Sequence, residues 1–83
     1  MIIKVRLFAN LRERLPPGSD GQEGALEMPD GATPRDVIAR LNIPPELAHL
    51  VMINGFHLLP ADVRDRALQP GEVLSIFPPI AGG

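Results

Sequence analysis

Thr33-Pro34-Arg35-Asp36-Val37-Ile38-Ala39-Arg40-Leu41 is the stretch on which the fold turns. Thr33 is a residue type that caps helices, its side-chain oxygen accepting an amide N–H that the first turn leaves unpaired. Pro34 follows at the first helical position, where its missing N–H removes no helical bond. Asp36 stands three residues past the cap, the place from which a carboxylate reaches back to the cap's own amide. Val37, Ile38 and Leu41 form one apolar stripe, with Arg35, Asp36 and Arg40 on the wet side. Asn42 and the Pro44-Pro45 pair then end the helix.

On the N-terminal side, Ile2 to Phe8 alternates cleanly. Ile3, Val5 and Leu7 share one face and Ile2, Lys4, Arg6 and Phe8 the other, the pattern of a half-buried strand. Ala9 to Leu15 makes a turn or two of helix before Pro16-Pro17-Gly18 stops it. Ser19 to Gly24 is a polar surface loop, and Ala25 to Met28 a short second strand. On the C-terminal side, Glu46 to Leu50 forms one more short turn. Val51 to Ile53 is an apolar strand, and Asn54-Gly55 predicts a tight hairpin returning through Phe56 to Leu59. Ala61 to Leu68 is a charged loop with a helical turn. Gln69-Pro70-Gly71-Glu72 places Pro and Gly as a type II turn requires. Val73 to Phe77 is the last strand, and Pro78-Pro79 forbids its continuation. Two strands, a helix, a hairpin and a final strand, with no domain boundary, predict one α+β domain over residues 1–83. The expected architecture is a β-grasp: a mixed sheet with one main helix across one face, and residues 78–83 as a protruding C-terminal tail.

Bulk properties narrow the function. The 83 residues are 45% hydrophobic and 22% charged, as in an ordinary globular domain with a thin core. A formal net charge of -2 gives no reason to expect nucleic acid or an acidic membrane as partner. Without cysteine there is no disulfide, no thiolate nucleophile and no zinc–thiolate site, so sulfur cannot ride on a cysteine persulfide. The N-terminus lacks a signal-peptide core and no run approaches the ~18 apolar residues of a membrane span, so the expectation is a cytoplasmic protein with no membrane partner. His49 and His57 have no second ligand at metal spacing, and no metal is expected. Ser19 and Ser75 have no nearby His–acid arrangement. Gly18, Gly21 and Gly24 match no phosphate-binding pattern.

Chemistry is left to the end of the chain. Ile80-Ala81-Gly82-Gly83 reads either as a frayed terminus or as a probe, because glycine has no Cβ to keep a backbone out of a narrow channel. Pro78-Pro79 stiffens the departure from the sheet. The last strand places Leu74 and Ile76 on one side and Val73, Ser75 and Phe77 on the other. With Leu74 and Ile76 in the core, Phe77 points outward, and Phe8 does the same in the first strand. In a β-grasp these strands are parallel neighbours, so both rings share one face with Lys4 and Arg6. That is a partner site, unless a loop covers both rings.

The chain resembles the β-grasp sulfur carriers of the MoaD/ThiS type along its whole length. Phe8-Ala9-Asn10-Leu11-Arg12-Glu13 looks like the F-A-x-[LV]-R-E of molybdopterin synthase small subunits. Ile53-Asn54-Gly55 is similar to the family's V-N-G hairpin, and Leu68 to Val73 to its L-x-x-G-D-E-V, with Glu72 where Asp is common. Phe77-Pro78-Pro79-Ile80-Ala81-Gly82-Gly83 closely matches the F-P-P-V-[AST]-G-G end. The resemblance implies a ubiquitin-like fold and a carrier that is no enzyme on its own. An activating enzyme would use ATP to adenylate the Gly83 carboxylate, Gly82 giving access. A sulfur donor would then convert it to a thiocarboxylate. No cofactor would be bound permanently.

The resemblance also implies that Phe77, Pro78, Pro79, Ile80, Ala81, Phe8 and His57 meet a partner, first of all the molybdopterin synthase large subunit. The Phe8–Glu13 segment, the length and the double proline favour that branch over the thiamine carriers. The Leu59–Gln69 stretch is longer than usual there, and His57 stands where an apolar contact residue is common. Carriers for tungsten cofactor, thiamine, cysteine or tRNA thiolation, a protein modifier, and a plain interaction module are the alternatives.

Overall fold

The computed structural model describes residues 1–79, so Ile80, Ala81, Gly82 and Gly83 lie outside the described residues. Five strands build one sheet: β1 (Ile2–Leu7), β2 (Glu23–Glu27), β3 (Leu50–Ile53), β4 (Phe56–His57) and β5 (Val73–Phe77). Their order is β2-β1-β5-β3-β4, with β1 and β5 parallel at the centre and the remaining pairs antiparallel. Two α-helices accompany them, α1 (Pro34–Arg40) and α2 (Pro60–Asp65), with 3₁₀ turns at Ala9–Arg14 and Pro45–Leu47. A mixed sheet with its main helix packed across one face is the ubiquitin-like β-grasp that the order of elements implies.

The helix start follows its chemistry. Thr33 Oγ1 accepts the Asp36 N–H at 3.3 Å, Asp36 Oδ2 accepts the Thr33 N–H at 2.9 Å, and Pro34 opens the helix. Val37, Ile38 and Leu41 are buried against Ile3, Val5 and Leu7 of β1 and Leu74 and Ile76 of β5. Alternation thus decides the two sheet faces: every inward residue of β1 and β5 is in the core, while Lys4 is exposed and Arg6 half-buried on the other side.

Turn chemistry holds the register. Asn54 and Gly55 have φ of 50° and 85°, the two positive values of a two-residue hairpin, and Asn54 Oδ1 accepts the Val73 N–H at 2.9 Å. That bond ties the hairpin to the start of β5. At Gln69–Glu72 the Glu72 N–H reaches the Gln69 carbonyl at 3.2 Å, and Gly71 takes φ 80° after Pro70.

Two expectations shift. The returning strand β4 is two residues long rather than running to Leu59, because Leu58 turns into the core and Pro60 starts α2. The charged connection after it is a helix packed on α1, fastened by Leu68, whose N–H donates to the Ala32 carbonyl at 2.7 Å. The long Leu59–Gln69 connection therefore lies on the helix side of the sheet. Among the described residues, no helix is long and apolar enough to cross a membrane.

Candidate functional site

The face of the sheet turned away from α1 carries the predicted aromatic pair. Phe8 and Phe77 are stacked, ring centroids 4.0 Å apart and planes within 7°. The pairing follows from topology, since parallel β1 and β5 place Leu7 beside Ile76 and deliver the next residue of each strand to the outer side. The Arg6 guanidinium lies 5.5 Å from the Phe8 centroid, close enough for attraction by the ring face. Arg6 Nε in turn sits 3.7 Å from Glu23 Oε1 on β2. The result is a column, guanidinium on ring on ring.

Both rings are half-buried rather than fully exposed, because each covers a face of the other. The expectation of an outward aromatic patch holds in direction, while the geometry makes it one composite surface rather than two separate anchors. The large apolar side chains that stand freest are elsewhere: Phe56 at 76%, Leu59 at 64% and Ile2 at 60% exposure. The sequence pattern marks Phe56 only as part of the returning strand, with nothing in it to signal this exposure.

Beside the column lies an open groove of about 580 Å³, lined by Phe8, Ala9, Asn10, His49, Leu50, Phe77, Pro78 and Pro79. It sits where the chain leaves β5, with Pro78 half-buried and Pro79 exposed. Ala9 takes φ 53° at the bend out of β1, a left-handed conformation that a residue with a Cβ adopts at a cost of about 1 kcal/mol. The bend lets Ala9 and Asn10 form one wall. His49 forms another: its N–H donates to the Phe77 carbonyl at 3.0 Å, one step beyond the Leu50–Phe77 pair. In the sequence His49 has no partner at metal spacing and no motif that marks it as a groove residue. Its place just ahead of a strand antiparallel to the last one was the available signal.

His57 is exposed on the edge strand opposite Met52, itself opposite Ser75 on the outer face. Two strand spacings, about 10 Å, separate it from β5, so it belongs to the rim of this surface and not to the groove. Ser75 is buried between Arg6 and Met52. The four remaining predicted site residues, Ile80, Ala81, Gly82 and Gly83, lie outside the described residues, as stated.

The tightest ion pair lies away from this site. Arg66 grips Glu72 through two bonds of 3.1 and 2.9 Å, and the Gln69 N–H adds a third at 2.6 Å. The Arg66 guanidinium beside it, helped by the Gln69 amide, holds the Glu72 carboxyl below its usual value against the opposing effect of burial. This fork fixes the entry to β5. Among the described residues, no three metal-ligating side chains lie together. What the surface offers is shape: an apolar, cation-capped column, and a groove at the root of the chain's last residues.

The family model of the ThiS family matches residues 5–83. A search of the curated proteins finds no match. Among solved structures, a Haloferax volcanii protein determined in solution is similar at 30% identity and TM-score 0.77, covering 100% of this chain and 87% of that one. A Pyrococcus furiosus protein, provisionally assigned as subunit 1 of a molybdopterin converting factor, is 26% identical over 95% of this chain and 98% of its own, TM-score 0.68. The small archaeal modifier protein 1 of H. volcanii is 25% identical over 95% and 98%, TM-score 0.66.

Proposed function

This chain belongs to the ThiS family, and on that premise we propose that it is a sulfur carrier working in the cytoplasm, whose reactive group is the carboxylate of Gly83. The observation that carries the reading is the family match running through residue 83, which takes in the Gly-Gly end. A free carboxylate is a poor electrophile. ATP, used by an activating partner, joins AMP to the Gly83 carboxylate and releases pyrophosphate. A sulfur donor attacks the acyl carbon, AMP leaves, and a thiocarboxylate remains. The protein's own part is to dock and to deliver. The Arg6–Phe8–Phe77 column supplies a docking surface, and Pro78-Pro79 follow it directly in the chain.

The sulfur's destination is proposed to be the dithiolene of molybdopterin, made on a synthase large subunit. Supporting this are the Phe8–Glu13 segment, the Phe77-Pro78-Pro79 exit and the likeness to the Pyrococcus protein. The helix-side position of α2 removes one obstacle, since the long connection does not cover the Phe8–Phe77 column. The second reading, a modifier joined through Gly83 to amines of other proteins, is favoured by the likeness to the archaeal modifier.

The test is to incubate the chain with its activating enzyme, ATP and a sulfide donor, and to weigh the intact protein. One oxygen replaced by sulfur, localised to Gly83, is expected. Adding a synthase large subunit and precursor pterin should then give the dithiolene. A charged chain that yields no dithiolene belongs to another sulfur pathway. A chain that is adenylated yet never gains sulfur is no carrier.

A further inference from the structure

On the helix side of the sheet a second groove, about 820 Å³ in volume, opens between α1 and the β3–β4 edge. Arg35, Ile38 and Ala39 form its α1 wall, at the spacing that places side chains on one helix face. Ala39 ends at its Cβ, and Ala48 does the same ahead of β3, so the groove stays open where longer side chains would fill it. Two large apolar side chains stand uncovered beside it. Phe56 pairs with Ile53, which is buried in the core, and directly opposed residues share a face, so Phe56 stands on the helix side at 76% exposure. Leu59, 64% exposed, precedes Pro60, which lines the groove. Exposed apolar side chains beside an apolar groove mark a protein partner.

Charge says which kind. The lining holds no carboxylate, and its ionisable residues are Arg35, His49 and His57. Arg35 is exposed, and among the described residues it enters none of the ion pairs. The acids of the flanking elements stand outside the lining, and Asp36 is committed to the Thr33 cap. The backbone says which shape. Strand β4 has two residues, too short an edge to template an added strand. An amphipathic helix needs no such edge, because its row of apolar side chains fills a groove directly.

We infer that this groove is a second docking site, whose occupant is an acidic amphipathic helix of a partner protein. Apolar side chains at i, i+3, i+4 and i+7 enter between α1 and β3, and carboxylates flanking that row face Arg35 and His49. The site is separate from the Phe8–Phe77 column, which lies on the other face of the sheet. His49 is common to both sides, since it lines this groove and the one where the chain leaves β5. One partner can hold the helix side while another meets the outer face.

The experiment titrates the isotopically labelled full chain with a helix-stapled peptide that carries leucine at those four positions and glutamate beside them. Two control peptides replace every glutamate by lysine, or every leucine by serine. The glutamate peptide should shift the amides of Ala39, Ala48, His49 and Val63 and leave those of Phe8 and Phe77 in place. Arg35→Glu and Ala39→Glu, both at exposed helix positions, should weaken binding about tenfold or more, since each sets a like charge in the contact. Phe77→Ala should leave it unchanged. Equal binding of either control peptide, shifts centred on Phe8 and Phe77, full affinity in Arg35→Glu, or no binding at millimolar peptide each overturn the inference. So do two results that name another occupant. Groove amides that shift as the chain alone is concentrated point to a second copy, and decanoate that binds the groove more tightly than the peptide points to a small apolar acid.

Discussion

Strand β5 has two sides that differ in what their apolar atoms accomplish. Leu74 and Ile76 are wholly buried, closed over by α1 and β1, and their contribution is stability. One residue further along, Phe77 is half-buried, stacked on Phe8, and still presents surface. Strand periodicity places core and outer surface on adjacent residues, so a substitution at either position separates folding from the docking proposed for the outer face. The same division runs through β1, where Leu7 belongs to the core and Phe8 to the column.

The largest expected effect is on the core side. Ile76→Ala should lower stability by about 2–5 kcal/mol, since it opens a cavity that the sheet and α1 cannot close. Chemical denaturation measures this, and binding of whatever fraction stays folded should be unaffected. Phe77→Ala should do the reverse. It should weaken partner docking by about 2 kcal/mol, as truncation of a central interface aromatic does. Its stability loss should stay below that of Ile76→Ala, because Phe77 is only half-buried and its main loss is the stacking on Phe8. If Phe77→Ala destabilised the fold more than Ile76→Ala, the two sides of β5 would not divide as described.

A smaller effect sharpens the comparison from outside both faces. Glu72 sits at the mouth of β5, forked by Arg66 and bound to the Gln69 amide. Its carboxyl titrates lower in the folded chain than in the unfolded one. The pair's stabilisation is therefore complete above the unfolded-state value, about pH 4.3, and is lost as pH falls through the lower folded value. With Arg66 about one-third exposed, solvent screens the pair, and Glu72→Gln should cost about 1 kcal/mol at neutral pH. The gap to wild type should narrow in acid. A gap that widened on acidification would contradict the sign of this linkage.

Much of this was legible in the sequence because it is local. The Thr33–Asp36 capping box, the Asn54-Gly55 turn, the Pro70-Gly71 turn and the inward residues of β1 and β5 each depend on a few neighbouring positions. The Phe8–Phe77 proximity needed one further step, the parallel pairing of first and last strands, and topology supplied it. The groove was not legible. His49 comes from one chain segment and Ala9 and Asn10 from another, and only the register of β3 on β5 and the left-handed bend at Ala9 bring them to one place. Of α2 only a helical turn was legible, because its apolar residues are few and it is stabilised by packing on α1 rather than by its own pattern.

The central claim is that the reactive group lies at the end of the chain while the folded body only docks and presents it. The direct measurement is ATP–pyrophosphate exchange by the activating enzyme, with the full chain and with a chain lacking Gly82-Gly83, each checked for its melting temperature. The account predicts exchange with the full chain, none with the shortened one, and the same melting temperature for both. Exchange that persists after removal of the two glycines would contradict it.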